Sequence, residues 1–145
     1  MKLSSLPTHN ATVAGQDGTQ NSPFYLQYNY ANTGSPGWSM SFTKSDTANS
    51  TFWNANVSGA TANTWTHLVG TYDATTKTAQ LYVNGTLAAT ATDVTSWNAA
   101  NAFTIGRSLY NATDTDFFPG LISTVQAWNY ALTPNQIIAL YQQIP

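Results

Sequence analysis

The dipeptide Asn84-Gly85, set between two runs of strand-forming residues, constrains this chain more than any other feature. Both residue types tolerate the positive φ of a type I′ turn, the turn that the right-handed twist of paired strands selects. Ahead of it, Thr78 to Val83 alternates, with Leu81 and Val83 on one face and Gln80 and Tyr82 on the other. Thr86 to Ala91 is the return strand. Trp65 to Tyr72 is a further strand-rich run, and Asp73 to Lys77 loops between it and the hairpin. A lone hairpin is marginal in water, so further strands must cover its apolar face.

Those strands are readable. Phe24, Leu26, Tyr28 and Tyr30 share one parity, and Tyr25, Gln27 and Asn29 share the other. After a turn over Asn32 to Gly37, Trp38, Met40 and Phe42 alternate with Ser39 and Ser41. Phe103 to Arg107 and Leu121 to Trp128 read as the later strands. Short runs punctuated by turn residues predict an all-β fold, a two-sheet antiparallel sandwich. One helix closes the chain. Thr133-Pro134-Asn135-Gln136 forms a capping box with Pro at the first helical position, and Leu132 is placed to staple against Ile137. Ile137, Leu140 and Tyr141 make one apolar stripe, which predicts a short lid against the sandwich.

Composition narrows the function. The 145 residues suit a single domain, and the five Trp, eight Tyr and six Phe are ample for a core. Only four residues are basic, Lys2, Lys44, Lys77 and Arg107, and they are scattered, so a nucleic-acid surface is not expected. No apolar run approaches the ~20 residues that span a bilayer, so no membrane insertion is expected. Met1-Lys2-Leu3-Ser4-Ser5 leads to Pro7 without the apolar region of a signal peptide, so export would rest on targeting information elsewhere. There is no Cys, hence no disulfide, thiolate metal site or Cys nucleophile.

Trp65-Thr66-His67-Leu68-Val69-Gly70-Thr71-Tyr72-Asp73, followed by Leu81-Tyr82-Val83-Asn84-Gly85, resembles the central signature of bacterial laminin G-like domains of the concanavalin A-like superfamily. Phe103-Thr104-Ile105-Gly106-Arg107, Asp116-Phe117-Phe118-Pro119-Gly120 and Trp128-Asn129-Tyr130-Ala131-Leu132-Thr133 continue it in order and spacing. Gln16-Asp17-Gly18 and Phe24 to Tyr28 resemble the same group. The resemblance implies a jelly roll, and a secreted or extracellular module attached to larger proteins. It departs from the family at Ser123 and Thr124, where Asp is usual. Family members also open with strands that run into the equivalent of Lys2-Leu3. Residues 1–145 therefore read as one domain without its usual first strand or strands, and association through an open sheet edge is expected.

The candidate chemistry is sparse. The superfamily's hydrolases use a carboxylate pair with a Glu-based strand motif, whereas all six acids here are Asp and there is no Glu. No enzyme is expected, and no catalytic residue is assigned. His67 reads as a structural strand residue, and His9 sits in a polar opening segment. Calcium is the candidate cofactor. Asn111 to Asp116 offers several oxygens, so Asp114 and Asp116, with Asp17 if the fold brings it near, are the candidate ligands for an ion that takes about 6–8 oxygens. For a sugar, Trp53, Trp97 and Tyr110 are candidate stacking rings, each beside Asn, with Asn111 as a polar contact. The expected function is non-catalytic binding of a carbohydrate or cell-surface glycan by an accessory domain. The alternative is a structural or adhesive spacer that binds protein or no ligand.

Overall fold

The alternating run around Met40 becomes an interior strand of a five-stranded antiparallel sheet. The structure, a computed structural model, describes residues 1–30 and 36–143. In chain order the strands are β1 (Lys2–Leu3), β2 (Ala11–Gln16), β3 (Phe24–Asn29), β4 (Gly37–Thr43), β5 (Phe52–Ser58), β6 (Leu68–Asp73), β7 (Thr78–Val83) and β8 (Thr86–Ala91). Then come β9 (Phe103–Ile105), β10 (Ser108–Tyr110), β11 (Thr113–Thr115), β12 (Gly120–Leu121) and the helix α1 (Pro134–Gln142). One sheet has the order β5-β4-β3-β2-β9 and the other β6-β7-β8, with β1-β12 and β10-β11 as two short pairs. The fold is the jelly-roll sandwich, mostly antiparallel strands with, among the described residues, a single short helix.

The period-two sets sort between faces as their parity requires. Tyr28, Trp38, Met40 and Phe42 point into the core with Leu81, Val13 and Ala55. Phe42 packs on Tyr72 across the sandwich at a centroid distance of 5.1 Å, so the two sheets share one core. The hairpin forms as the dipeptide dictates: Val83 faces Thr86, and Asn84 and Gly85 sit at φ 51° and 78°. Asn84 Oδ1 also accepts from the His67 backbone N–H at 2.9 Å, tying the turn to the start of β6.

Helix α1 is capped as read. Thr133 and Gln136 complete the box, and Leu132 and Ile137 are buried together with Val69 and Tyr82. Tyr141 stacks on His67 at 5.7 Å and lies against Gly85. The lid therefore rests on the β7–β8 turn.

Some elements differ from the sequence reading or go beyond it. The strand expected from Leu121 to Trp128 stops after Leu121, and residues 122–131 form no regular element. Among the described residues the partner of β12 is β1, which is two residues long, so the ladder ends at Leu121. The oxygen-rich run from Asn111 to Asp116 is largely part of a hairpin: β10 and β11 pair around Asn111 and Ala112, both at positive φ. Strands β2 and β5 form without a strong alternating signal, since their small and polar residues gain sheet structure from the neighbours that flank them. The turn expected over Asn32 to Gly37 lies, as far as Ser35, outside the described residues.

Candidate functional site

Residues directly opposite in paired strands share a face, so the register writes the composition of the outer face of the five-stranded sheet. Thr12, Gln27, Ser39 and Asn56 form one row across β2, β3, β4 and β5. Gly15, Tyr25, Ser41 and Asn54 form the next. Hydroxyls and amides link the rows: Gln27 Nε2 donates to Ser41 Oγ at 3.1 Å, and Ser39 and Ser41 hydroxyls meet at 2.6 Å. Asn29 Nδ2 reaches Asn56 Oδ1 at 3.5 Å. Among the described residues Thr12 Oγ1, Gln27 Oε1 and Asn29 Oδ1 are buried without a hydrogen-bond partner. Such orphaned oxygens cost about 1–3 kcal/mol each, so a face that collects three of them calls for an explanation.

Aromatic rings border this polar floor. Tyr25 and Phe52 meet edge to face at 5.6 Å, and Phe52 and Tyr110 lie 5.7 Å apart. The β10–β11 hairpin is sewn down beside them, with Leu109 O accepting from Ser22 N–H and Tyr25 O–H, both at 2.8 Å. Phe52, Asn56, Tyr110 and Asn111 are half-buried and Asn54 is exposed. The reachable part of the face is therefore an edge-strand amide pair next to two partly open rings. Apolar ring faces beside directed amides suit a ligand with C–H faces and hydroxyls.

The loops at the hairpin end are rigidly pinned. Asp46 accepts the backbone N–H groups of Thr19, Gln20 and Asn21 at 2.7, 2.7 and 2.8 Å. Burial disfavours its charge, but those donors outweigh it and hold the carboxyl below its ordinary range. Buried Asn21 donates to Ser45 O and Thr47 O and accepts from Asn111 N–H. Asn111 in turn exchanges hydrogen bonds with Asn49, at 2.7 and 3.2 Å. Tyr110 O–H points at Ser50 O, 3.4 Å away.

The candidate sugar residues divide. Tyr110 and Asn111 come together at this rim. Trp53 lies opposite Phe42 on the inner face of the sheet, packed against the core, with Lys44 Nζ 5.0 Å from its ring centroid. Trp97 closes the end of the sandwich, its Nε1–H shared between Thr43 O at 3.1 Å and Thr43 Oγ1 at 3.2 Å.

The candidate calcium ligands divide too. Asp17 and Asp114 do converge, but on a cation the chain already has. Arg107 donates to both Asp17 oxygens, at 3.1 and 2.7 Å, and reaches Asp114 at 2.9 Å. Asp116 is turned to Ser108 and Thr115, and burial pushes its carboxyl above the ordinary value. Among the described residues no three His, Cys, Asp or Glu side chains gather as metal ligands. As arranged, this donor set does not fit calcium. The melting temperature is expected to be the same in chelator and in millimolar calcium; a rise with calcium would show Arg107 displaced, because any state that binds is stabilised.

With the sandwich and its polar face described, sequence and structure comparisons place the chain. A family model described as the concanavalin A-like lectin/glucanases superfamily matches residues 1–138. The chain belongs to that superfamily. Among solved structures it is similar to the CBM40 of the Ruminococcus gnavus IT-sialidase, with a TM-score of 0.62 and 20% identity over 94% of this chain and 77% of that one. At that identity the likeness is one of fold. A search of curated proteins gave no match.

For a superfamily member, the outer-face residues Gln27, Asn29, Asn54, Asn56 and Phe52 were the ones that sequence reading passed over. A signal was present: Gln27 and Asn29 share the parity opposite to Leu26 and Tyr28, and Ser39 and Ser41 repeat it. What sequence lacks is the register that joins these sets into a row.

Proposed function

We propose that this superfamily member is a non-catalytic carbohydrate-binding module, and that its glycan lies across the outer face of the five-stranded sheet toward the β10–β11 hairpin. The observation that carries this is the reachable amide pair of Asn54 and Asn56 on the edge strand, bordered by the partly open rings of Phe52 and Tyr110. In this reading Tyr110 is the stacking ring, and Asn54, Asn56 and Asn111 bond the hydroxyls. Of the four candidate contacts of the sugar, two, Tyr110 and Asn111, lie at this rim, and Trp53 and Trp97 do not. Of the acids, Asp17 and Asp114 are spent on Arg107 and Asp46 on backbone N–H groups, which favours binding over hydrolysis by a carboxylate pair. Placement outside the cell, as part of a larger protein, follows from the same reading.

A glycan array followed by calorimetry on the best ligand tests it. Tyr110→Ala and Asn54→Ala are each expected to weaken binding about tenfold, equivalent to 1.4 kcal/mol, with the melting temperature nearly unchanged for Asn54→Ala. Trp65→Ala, on an exposed ring away from this face, should bind as the parent does. An array without ligands, or affinity indifferent to both substitutions, would instead favour the spacer.

A further inference from the structure

The outer face of the five-stranded sheet is bordered by charge of one sign. The four basic and six acidic residues of the chain all lie among the described residues, so their placement can be followed one by one. Each Lys and Arg is committed elsewhere. Arg107 is held between Asp17 and Asp114. Lys44 reaches over the ring of Trp53, which is turned to the inner side of the sheet, and Lys2 lies over Trp65 at 5.5 Å. Lys77 belongs to the turn between β6 and β7, in the other sheet.

One acid stands beside the face. Asp116 follows β11, and its backbone O accepts from Thr12 N–H at 2.7 Å, which fixes it at the β2 end of the row that runs through Gln27 and Ser39 to Asn56. Its carboxylate is half-buried and accepts from Ser108 Oγ at 3.3 Å and Thr115 Oγ1 at 3.4 Å, both long for hydroxyl donors. Among the described residues both ion pairs are made by Arg107, so Asp116 has no counter-ion in contact; His9 favours its charge only from a distance. The field of this carboxylate reaches the rings. Burial pushes the Tyr25 phenol above its ordinary value, and the charge of Asp116 pushes it the same way. Tyr25 meets Phe52, which lies beside Tyr110.

We propose that this face takes uncharged glycans and that Asp116 is the residue that turns acidic sugars away, a proposal that rests on the glycan reading of the same face. A ligand carboxylate or sulfate brought to these rings gives up hydration, finds amides but neither ammonium nor guanidinium, and is repelled by Asp116. Part of the path between the two charges runs through protein, where salt screens less than in open water. A sugar hydroxyl meets no such penalty, since Asn54, Asn56 and Asn111 can both donate to it and accept from it.

The test is an array that prints neutral oligosaccharides beside their sialylated and sulfated counterparts, with calorimetry on the pairs that bind. The acidic member of a pair is expected to bind about tenfold or more weakly than the neutral one, and the gap should narrow as salt is raised. Asp116→Asn is expected to reduce the gap to about threefold or less. Asn keeps a contact for Ser108 and tolerates the positive φ of this position, so the fold should survive the change. Asp93→Asn, the same change in net charge beyond β8 on the other sheet, should leave the gap as in the parent. Acidic members bound as tightly as their neutral partners, or a gap that Asp116→Asn leaves untouched, would overturn the proposal while the glycan reading stands. An array on which no glycan binds would remove that reading, and this proposal with it. The salt dependence of the parent tests the repulsion without any substitution: a gap that high salt does not narrow also overturns it.

Discussion

Arg107→Ala is expected to destabilise the fold by about 3 kcal/mol, the low end of the range for breaking a buried ion pair. Asp17 is the reason. Its side chain is only 13% exposed, and Arg107 bonds both of its oxygens, so truncation leaves a nearly buried carboxylate facing no cation. Arg107 itself retains 25% exposure, which keeps the cost from the upper end of the range. The second carboxylate matters much less. Asp114 is 54% exposed, and an ion pair that open to water contributes about 0–1 kcal/mol. Urea titration of Arg107→Ala, Asp17→Asn and Asp114→Asn, with the Arg107–Asp17 double variant, separates these terms. Equal losses for Arg107→Ala and Asp114→Asn would show that this weighting of the two acids is wrong.

Gly85→Val is expected to cost a similar amount, about 3 kcal/mol, from two sources. A β-branched residue at φ 78° is strained by about 1–3 kcal/mol. In addition, a Cβ at this position would lie 3.0 Å from Tyr141 Cδ1, so the helical lid must shift. The sources can be told apart. In a Tyr141→Ala background the crowding vanishes and only the backbone strain remains, so Gly85→Val should cost less there. An unchanged melting curve for Gly85→Val alone would refute the turn assignment, since no type I′ turn accepts Val without strain.

The sequence by itself determined the elements whose signals are local. Asn84-Gly85 needs no distant partner to choose its turn, because positive φ is a property of those two residues. Thr133 to Gln136 caps α1 with groups three residues apart, and the parity of Phe24 to Asn29 and Trp38 to Phe42 divides core from surface within each strand. Tertiary structure decided everything that depends on which strands lie side by side. Leu121 to Trp128 has the composition of a strand, yet only Leu121 is in one, because backbone groups pair only where a neighbour exists. Asp17 and Asp114 looked like ligands for an external cation, and folding instead brings Arg107 between them across a sequence separation of 90 residues to Asp17. Trp53 and Tyr110 read alike in sequence, as rings beside Asn. The sheet turns Trp53 inward against the core, whereas the β10–β11 hairpin carries Tyr110 to the outer face, where Asn54 and Asn56 complete a surface that no single segment encodes.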